Sequence, residues 1–197
     1  MGRPKAFDRD LAVEIVMNEM WEHGYETCSV KAISEKLGIT RSSFYNSFGS
    51  REKLFFEVLD VYLENSPDTV LSDITTDNNV LHEMCQFFRL VCKTRAEDPE
   101  ARGCLAVNSI AALVGTDETI GPKIEKAIHS RIERFENILQ LAVDNGEIES
   151  INLHAKALAL QNLLIGLNMM AKVVHDENEL WALTKQTLQG LGLFKMS

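Results

Sequence analysis

Residues 29–54, SVKAISEKLGITRSSFYNSFGSREKL, decide the fold of this chain. Their pattern predicts two short amphipathic helices joined by a turn at Gly38. Ser29 is placed to cap the first helix, because its hydroxyl can accept a hydrogen bond from a free backbone N–H of the first turn. Gly38 follows the last apolar residue and can adopt the left-handed conformation that ends a helix. The apolar face of this first helix is Val30, Ile33 and Leu37.

The second of these helices has few apolar residues and a long polar surface. Thr40 is placed to cap it, and Phe44 and Phe48 lie four residues apart as its buried stripe. This arrangement is typical of a helix-turn-helix whose second helix enters a DNA groove. The spacing by itself also fits an ordinary helical hairpin in a bundle. The side chains left facing solvent are Arg41, Ser42, Ser43, Tyr45 and Asn46.

The order of residues 38–54, GITRSSFYNSFGSREKL, resembles the signature of the TetR family of bacterial transcriptional regulators. The resemblance extends over residues 8–62, through Trp21, Gly24 and Tyr25. The rest of the chain matches the family only in length and helical character. Three positions depart from the signature: Ser34 stands where Ala is usual, Ser47 where His is common, and Arg51 where Lys is usual.

The resemblance implies an all-α protein of about nine helices. It implies a three-helix DNA-binding domain over residues 1–50 and a helical bundle over residues 51–197 that binds ligand and dimerises. The expected function is that of a sequence-specific repressor, which a small-molecule inducer releases from a palindromic operator. The expected partners are therefore double-stranded DNA, the inducer and a second copy of the chain.

By the same resemblance, the helix that begins after Thr40 is the recognition helix. Arginine suits guanine and asparagine suits adenine, so Arg41 and Asn46 are candidates for base contacts. Arg51 lies in the first turn of the next helix, where its charge and the helix N-terminus both favour a phosphate oxygen. The full set of predicted DNA-binding residues is Ser29, Lys31, Thr40, Arg41, Ser42, Ser43, Tyr45, Asn46, Arg51 and Lys53. Arg3 and Lys5 are candidates for a short basic arm.

The distribution of charge agrees with this division of roles. The formal net charge is −9, which is unusual for a protein that binds DNA. Residues 1–55 contain eight Lys/Arg and eight Asp/Glu, so the whole excess of negative charge lies in the remainder. An acidic body weakens non-specific attraction to DNA and favours sites with good local contacts.

Several other classes of protein lack support in the sequence. There is no phosphate-binding loop, nucleophile elbow, zinc-protease motif or dinucleotide fingerprint, so we expect no enzyme and no cofactor or metal site. The most apolar stretch, 157–174, is interrupted by polar residues, which favours a buried or interface helix over a membrane span. The N-terminus is charged and predicts no signal peptide. The four cysteines show no CxxC spacing, which suits a reducing cytoplasm.

Apolar periodicity predicts further helices over 8–23, 80–95, 104–114, 119–145, 154–175 and 178–191, with a polar loop over 66–79. Leu11, Ile15 and Trp21 are expected in the core of the first. The last two helices are candidates for the dimer interface. Small residues at Ala155, Ala159 and Gly166 would permit close approach, and the bulk would come from Leu163, Leu167, Met170, Trp181 and Leu188.

The family resemblance places a ligand pocket among the fifth to eighth helices. Its predicted lining is Met84, Phe87, Phe88, Val91, Cys104, Leu105, Asn108, Leu163, Leu167 and Met170. Cys104 suggests an alternative function, since a thiol at a helix N-terminus beside Arg102 would favour the thiolate and could sense oxidants or electrophiles. Another alternative is a DNA-binding protein that responds to no ligand.

Overall fold

The computed structural model describes residues 8–75 and 79–195, and within these ranges the chain is helical with no strand. The helices agree with the sequence prediction to within a few residues, which confirms the all-α class. They are α1 (Arg9–His23), α2 (Val30–Leu37), α3 (Arg41–Phe48), α4 (Arg51–Glu64), a 3₁₀ helix (Pro67–Ser72), α5 (Val80–Ala96), α6 (Leu105–Leu113), α7 (Gly121–Asp144), α8 (Leu153–Met170) and α9 (Glu177–Gly190). Arg3 and Lys5 lie outside the described residues.

The chain divides after Asn65 into two compact units. The predicted boundary lay between residues 50 and 51, so the first unit also contains α4. The reason is packing, because α4 buries Leu54, Phe55 and Val58 and has its largest helix–helix contact with α1. The fourth helix is therefore structurally part of the helix-turn-helix unit.

The first unit is held together by one small core. Phe44 of α3 is fully buried, and its ring lies 5.3 Å from that of Phe48. The expectation for Leu11 is wrong, since that side chain is exposed. Apolar residues occur almost all round α1, so their spacing did not identify the buried face. The residues of α1 that are buried are Ala12, Val13, Val16 and Met20.

The second unit is built on α5, α7, α8 and α9. Aromatic rings meet at its centre, where Phe88 stacks on Phe135 with ring centroids 6.2 Å apart. The loop predicted over 66–79 contains the 3₁₀ helix, which Ser66 caps. That helix is attached to α7 by the ion pair between Arg131 and Asp68, 2.5 Å apart. Among residues 8–75 and 79–195, no helix is both long and apolar enough to cross a membrane.

A carboxylate from a distant part of the chain caps α5. Glu147 accepts hydrogen bonds from the backbone N–H groups of Val80 (2.8 Å) and Leu81 (3.0 Å). Burial raises the pKa of Glu147, but the hydrogen bonds from Leu81 and Val80 outweigh it and hold the pKa below its ordinary value. The ionised form therefore stabilises the folded unit and joins the turn after α7 to the start of α5.

Glu147→Gln is expected to lower the stability of the second unit by about 1–3 kcal/mol at neutral pH. The two N–H groups use different carboxylate oxygens, so in glutamine one hydrogen bond becomes neutral and the other is lost, because the amide –NH2 cannot accept. The folded pKa is depressed, so this stability is present above the ordinary pKa of 4.5 and is lost as the pH falls through the folded pKa. Denaturant unfolding from pH 7 to pH 3.5 measures both effects. Glu149→Gln, at an exposed position, is the control, and equal losses in the two variants would contradict the prediction.

Candidate nucleic-acid interface

The turn between α2 and α3 has the geometry that the sequence predicted. Gly38 has φ +65° and ψ +31°, a left-handed conformation that a side chain would strain. The N–H of Ile39 donates to the carbonyl of Ser34 (3.0 Å), and the N–H of Gly38 donates to that of Glu35 (3.2 Å). This pair of bonds ends α2 as a Schellman motif. The short connection fixes the direction in which α3 leaves the turn.

Helix α3, which the sequence predicts to be the recognition helix, presents its polar side chains to solvent and its two phenylalanines to the core. Thr40 caps it, since its Oγ1 accepts from the N–H of Ser43 at 3.1 Å and lies 3.0 Å from the Ser43 hydroxyl. A capping hydroxyl still has its own proton to donate to a phosphate oxygen. The structure brings together on the exposed surface of this one helix Arg41, Ser42, Ser43, Tyr45 and Asn46.

Arg51 is held at the N-terminus of α4 by an aromatic ring. Its guanidinium carbon lies 4.0 Å from the centroid of the buried Tyr25 ring, a cation–π contact. Ser50 caps α4 by accepting from the N–H of Lys53 at 3.2 Å. The helix N-terminus and the guanidinium thus lie together, an arrangement that favours a phosphate oxygen. Tyr25 is a positioning residue that the sequence matched to the signature without assigning it a role.

The remaining predicted DNA contacts are exposed and weakly held. Lys31 pairs with Glu35 across one helical turn, with Nζ and Oε1 3.9 Å apart. Such an exposed pair contributes little to stability, so it would cost little for Lys31 to leave it. Ser29 caps α2 by accepting from Ala32 (3.2 Å). The side chain of Lys53 extends over Gly49, because a Cβ on Gly49 would lie 3.2 Å from Cδ of Lys53.

In the second unit, most of the predicted pocket residues are buried in the main core cluster. They are Met84, Phe87, Phe88, Val91, Leu163 and Leu167. Cys104 and Leu105 are buried at the start of α6 outside that cluster, and Asn108 is half-buried. Met170 does not line the interior, because it is 41% exposed at the end of α8.

The surroundings of Cys104 differ from those of a reactive thiol. Its side chain is buried, and it forms no capping hydrogen bond at the start of α6. Arg102 pairs with Asp98 at 2.9 Å and with Glu100 at 3.4 Å, so its charge is already neutralised. The geometry therefore gives no support to the sensor hypothesis for Cys104.

Large apolar side chains are exposed along α8 and α9 and just beyond α8. The prediction for the dimer interface named Leu163, Leu167, Trp181 and Leu188, but these four are buried within the subunit itself. The inner faces of α8 and α9 pack in the core of the second unit and are therefore not available to a second subunit. The apolar side chains that remain outside are Leu158, Met169, Met170, Val173 and Leu183, with Gly166 exposed between them.

Two family models match the chain. The model described as bacterial regulatory proteins, tetR family, matches residues 17–58, which contain the helix-turn-helix. The model described as the tetracyclin repressor-like C-terminal domain matches residues 81–186, more than half of the chain. The protein belongs to the TetR family. It is thus a DNA-binding transcriptional regulator and not an enzyme, as the sequence predicted.

Proteins similar to this chain are also described as transcriptional regulators with a helix-turn-helix. The HTH-type transcriptional regulator YezE of Bacillus subtilis (strain 168) is 27% identical over 91% of this chain and 94% of its own length. The HTH-type transcriptional repressor ComR of Escherichia coli (strain K12) is 28% identical over 68% of this chain and 63% of its own length. The likeness to YezE thus covers both units.

Solved structures have the same fold. A complex of a cysteine mutant of the TetR family regulator CifR with 26-bp double-strand operator DNA has a TM-score of 0.80 and 29% identity, over 95% of this chain and 98% of that chain. The complex of AibR with isovaleryl coenzyme A and operator DNA has a TM-score of 0.66 at 16% identity, over 92% and 96% of the two chains. At that identity AibR shows the fold alone.

Proposed function

We propose that this protein is a homodimeric, cytoplasmic repressor that holds a two-fold symmetric operator and is released from it by a small-molecule inducer. The observation that carries the proposal is the exposed polar surface of α3, fixed by a capped turn and flanked by Arg51 at the start of α4. The CifR complex with operator DNA and the repressor ComR support DNA binding and repression respectively.

The outer faces of α8 and α9 support the dimer. A stripe of exposed apolar residues at helical spacing favours burial against another helix. Val173 is 71% exposed and Leu158 is 45% exposed, and both are large apolar side chains. An isologous contact between two such faces would pair α8 and α9 with their symmetry mates. Two recognition helices related by a two-fold axis match a palindromic operator.

Within α3 and α4, we assign different roles to the exposed side chains. Arg41 lies in the first turn of the recognition helix and is a candidate for bidentate reading of guanine. Asn46 is a candidate for adenine. Tyr45 and Arg51 are assigned to phosphates, as are the hydroxyls of Thr40 and Ser43. Release by the inducer would be a shift toward a subunit arrangement in which the two recognition helices no longer match the half-site spacing.

Selection of genomic fragments by the purified protein, followed by footprinting of the best binder, tests the proposal. A two-fold symmetric footprint is expected. Failure to enrich any fragment at low salt, where phosphate contacts are strongest, would overturn it. The same operator then allows the side-chain roles to be tested one by one.

Arg41→Ala is expected to weaken operator binding by about 1–3 kcal/mol and to relax preference at one base pair in each half-site. Tyr45→Ala and Arg51→Ala are expected to weaken binding to matched and mismatched sites alike, because phosphates carry no sequence information. Competition binding with single-base-pair variants of the operator separates the two effects. An unchanged site preference in Arg41→Ala would refute its role in reading a base.

A further inference from the structure

A buried arginine in the second unit has no anionic partner. Arg95 lies in the last turn of α5 and is only 6% exposed. Its Nε donates to Oδ1 of Asn168 on α8 at 2.6 Å, and Asn168 in turn donates to the carbonyl of Leu164 at 2.7 Å. No carboxylate of the described residues lies within 4 Å of Arg95, and neither of its Nη nitrogens makes a hydrogen bond to these residues. Neither Nη nitrogen is among the fully buried polar atoms without a partner, so both keep some contact with solvent. A guanidinium that is mostly withdrawn from water is nevertheless stabilised by an anion.

The carboxylates nearest in sequence are occupied elsewhere. Asp98 holds the side chain and the backbone N–H of Arg102, the latter at 2.7 Å. Glu97 pairs with Lys93 at 3.9 Å, and Glu100 pairs with Arg102 at 3.4 Å. The protein's own acidic side chains therefore leave the charge of Arg95 unmatched.

The loop before α6 packs closely against the same part of α8. Gly103 has φ +70°, and a Cβ there would lie 2.7 Å from the carbonyl oxygen of Asn168 and 3.3 Å from Cε of Lys172. Lys172 is exposed and has no ion pair within the described part of the chain. Two cations without counter-ions thus accompany Asn168, one of them buried.

A second buried polar group on α8 is also without a partner. Gln161 is 3% exposed, and neither its Oε1 nor its Nε2 makes a hydrogen bond. It lies seven residues before Asn168, which places it on the same face of the helix, two turns or about 10 Å away. Its neighbours on the helix, Leu160 and Leu164, are apolar and buried. Buried amides are ordinarily hydrogen-bonded, so this one indicates a missing partner.

From these contacts we infer that Arg95, positioned by Asn168, is the anchor for a small organic monocarboxylate, and that Gln161 binds a polar group farther along the same ligand. The inference rests on the proposed function, because it names the chemical class of the inducer. The two Nη nitrogens that Asn168 leaves free form the planar pair of donors that matches the two oxygens of a carboxylate. The single positive charge suits a monoanion, whereas a phosphate group would leave surplus buried charge. The body of the ligand is apolar, since the buried side chains of Val91 and Leu164 lie one turn before Arg95 and Asn168 on their helices.

The test uses the full chain and a panel of probes at matched ionic strength: butanoate, octanoate and benzoate, with octanamide and inorganic phosphate as controls. The readouts are the ¹⁵N resonance of the Arg95 Nε–H group, assigned by its loss in Arg95→Lys, and the melting temperature. A carboxylate is expected to shift both saturably, and octanamide and phosphate are expected to shift neither. If no carboxylate moves the Arg95 resonance, or if octanamide or phosphate binds as well as octanoate, the inference is wrong.

Asn168→Asp is the sharpest variant, because it places a carboxylate on the protein where the oxygen of Asn168 already meets Arg95. It is expected to weaken binding of the carboxylate probe at least about tenfold, because the new carboxylate would neutralise the guanidinium in place of the probe. Gln161→Leu is expected to raise the melting temperature and to weaken only probes that bear a second polar group, such as 8-hydroxyoctanoate compared with octanoate. Arg89→Lys, at a more exposed site on the same helix, is the control and should leave binding of the carboxylate probe unchanged. Unweakened probe binding in Asn168→Asp would overturn the inference.

Operator binding at low salt without any probe separates this inference from the proposed function. If the wild-type protein binds its operator but no carboxylate, only the inference fails. If it binds no operator, the proposed function fails whatever the probes do. A carboxylate that binds the protein and also releases the operator would support both the proposed function and the inference.

Discussion

Replacing Leu158 and Val173 together by Asp is expected to convert the protein into a monomer and to abolish operator binding. Both side chains are exposed in the single subunit, yet a dimer formed through α8 and α9 would bury them. A carboxylate without a partner in an apolar interface costs several kcal/mol, and two-fold symmetry would double each substitution. Loss of the second half-site also removes the gain from binding two sites at once, which is worth about 10²–10⁴ in affinity.

Sedimentation equilibrium measures the oligomeric state, and fluorescence anisotropy with the operator measures binding. Leu90→Asp is the matched control, because Leu90 is also an exposed leucine but lies on α5. It should remain a dimer with normal operator affinity. A double variant that remains a dimer would place the subunit interface on another surface.

The local signals for the helix-turn-helix predicted its structure well. Ser29 and Thr40 each cap the expected helix, and Gly38 has the left-handed conformation that was predicted for it. These features depend on a few neighbouring residues, so the sequence contains what is needed to predict them. Exposure of the recognition helix follows from the same pattern, since Phe44 and Phe48 fix which side is buried.

Features that depend on contacts between distant helices could not be predicted in this way. α8 is apolar on more than one side, so its sequence did not show that Leu163 and Leu167 face the subunit's own core while Leu158 and Met169 face outward. The partner of Arg95 is 73 residues away in sequence, on a different helix. Arg95 lies on the buried face of α5. The sequence pattern placed it at the end of a helix but did not show that its side chain is buried.

Phe44→Ala is expected to unfold the first unit and to abolish operator binding while leaving the second unit folded and dimeric. Phe44 is fully buried, with rings of Tyr45 and Phe48 at 5.5 and 5.3 Å. Removing a buried phenylalanine costs about 3–5 kcal/mol. A unit that ends at Asn65 has a small core, so this loss is comparable to its whole stability.

The two tryptophans allow each unit to be followed separately, because Trp21 lies in the first unit and Trp181 in the second. With Trp181→Phe as background, urea unfolding monitored by Trp21 fluorescence should show the transition shifted to low denaturant or lost. Ser34→Ala is the control in the same core, because the buried Ser34 hydroxyl has no hydrogen-bond partner and its removal should leave stability unchanged or raise it. If Phe44→Ala unfolds at the same urea concentration as Ser34→Ala, the core of the first unit does not depend on Phe44. Loss of operator binding in Phe44→Ala would then have to come from a change at the DNA surface of α3.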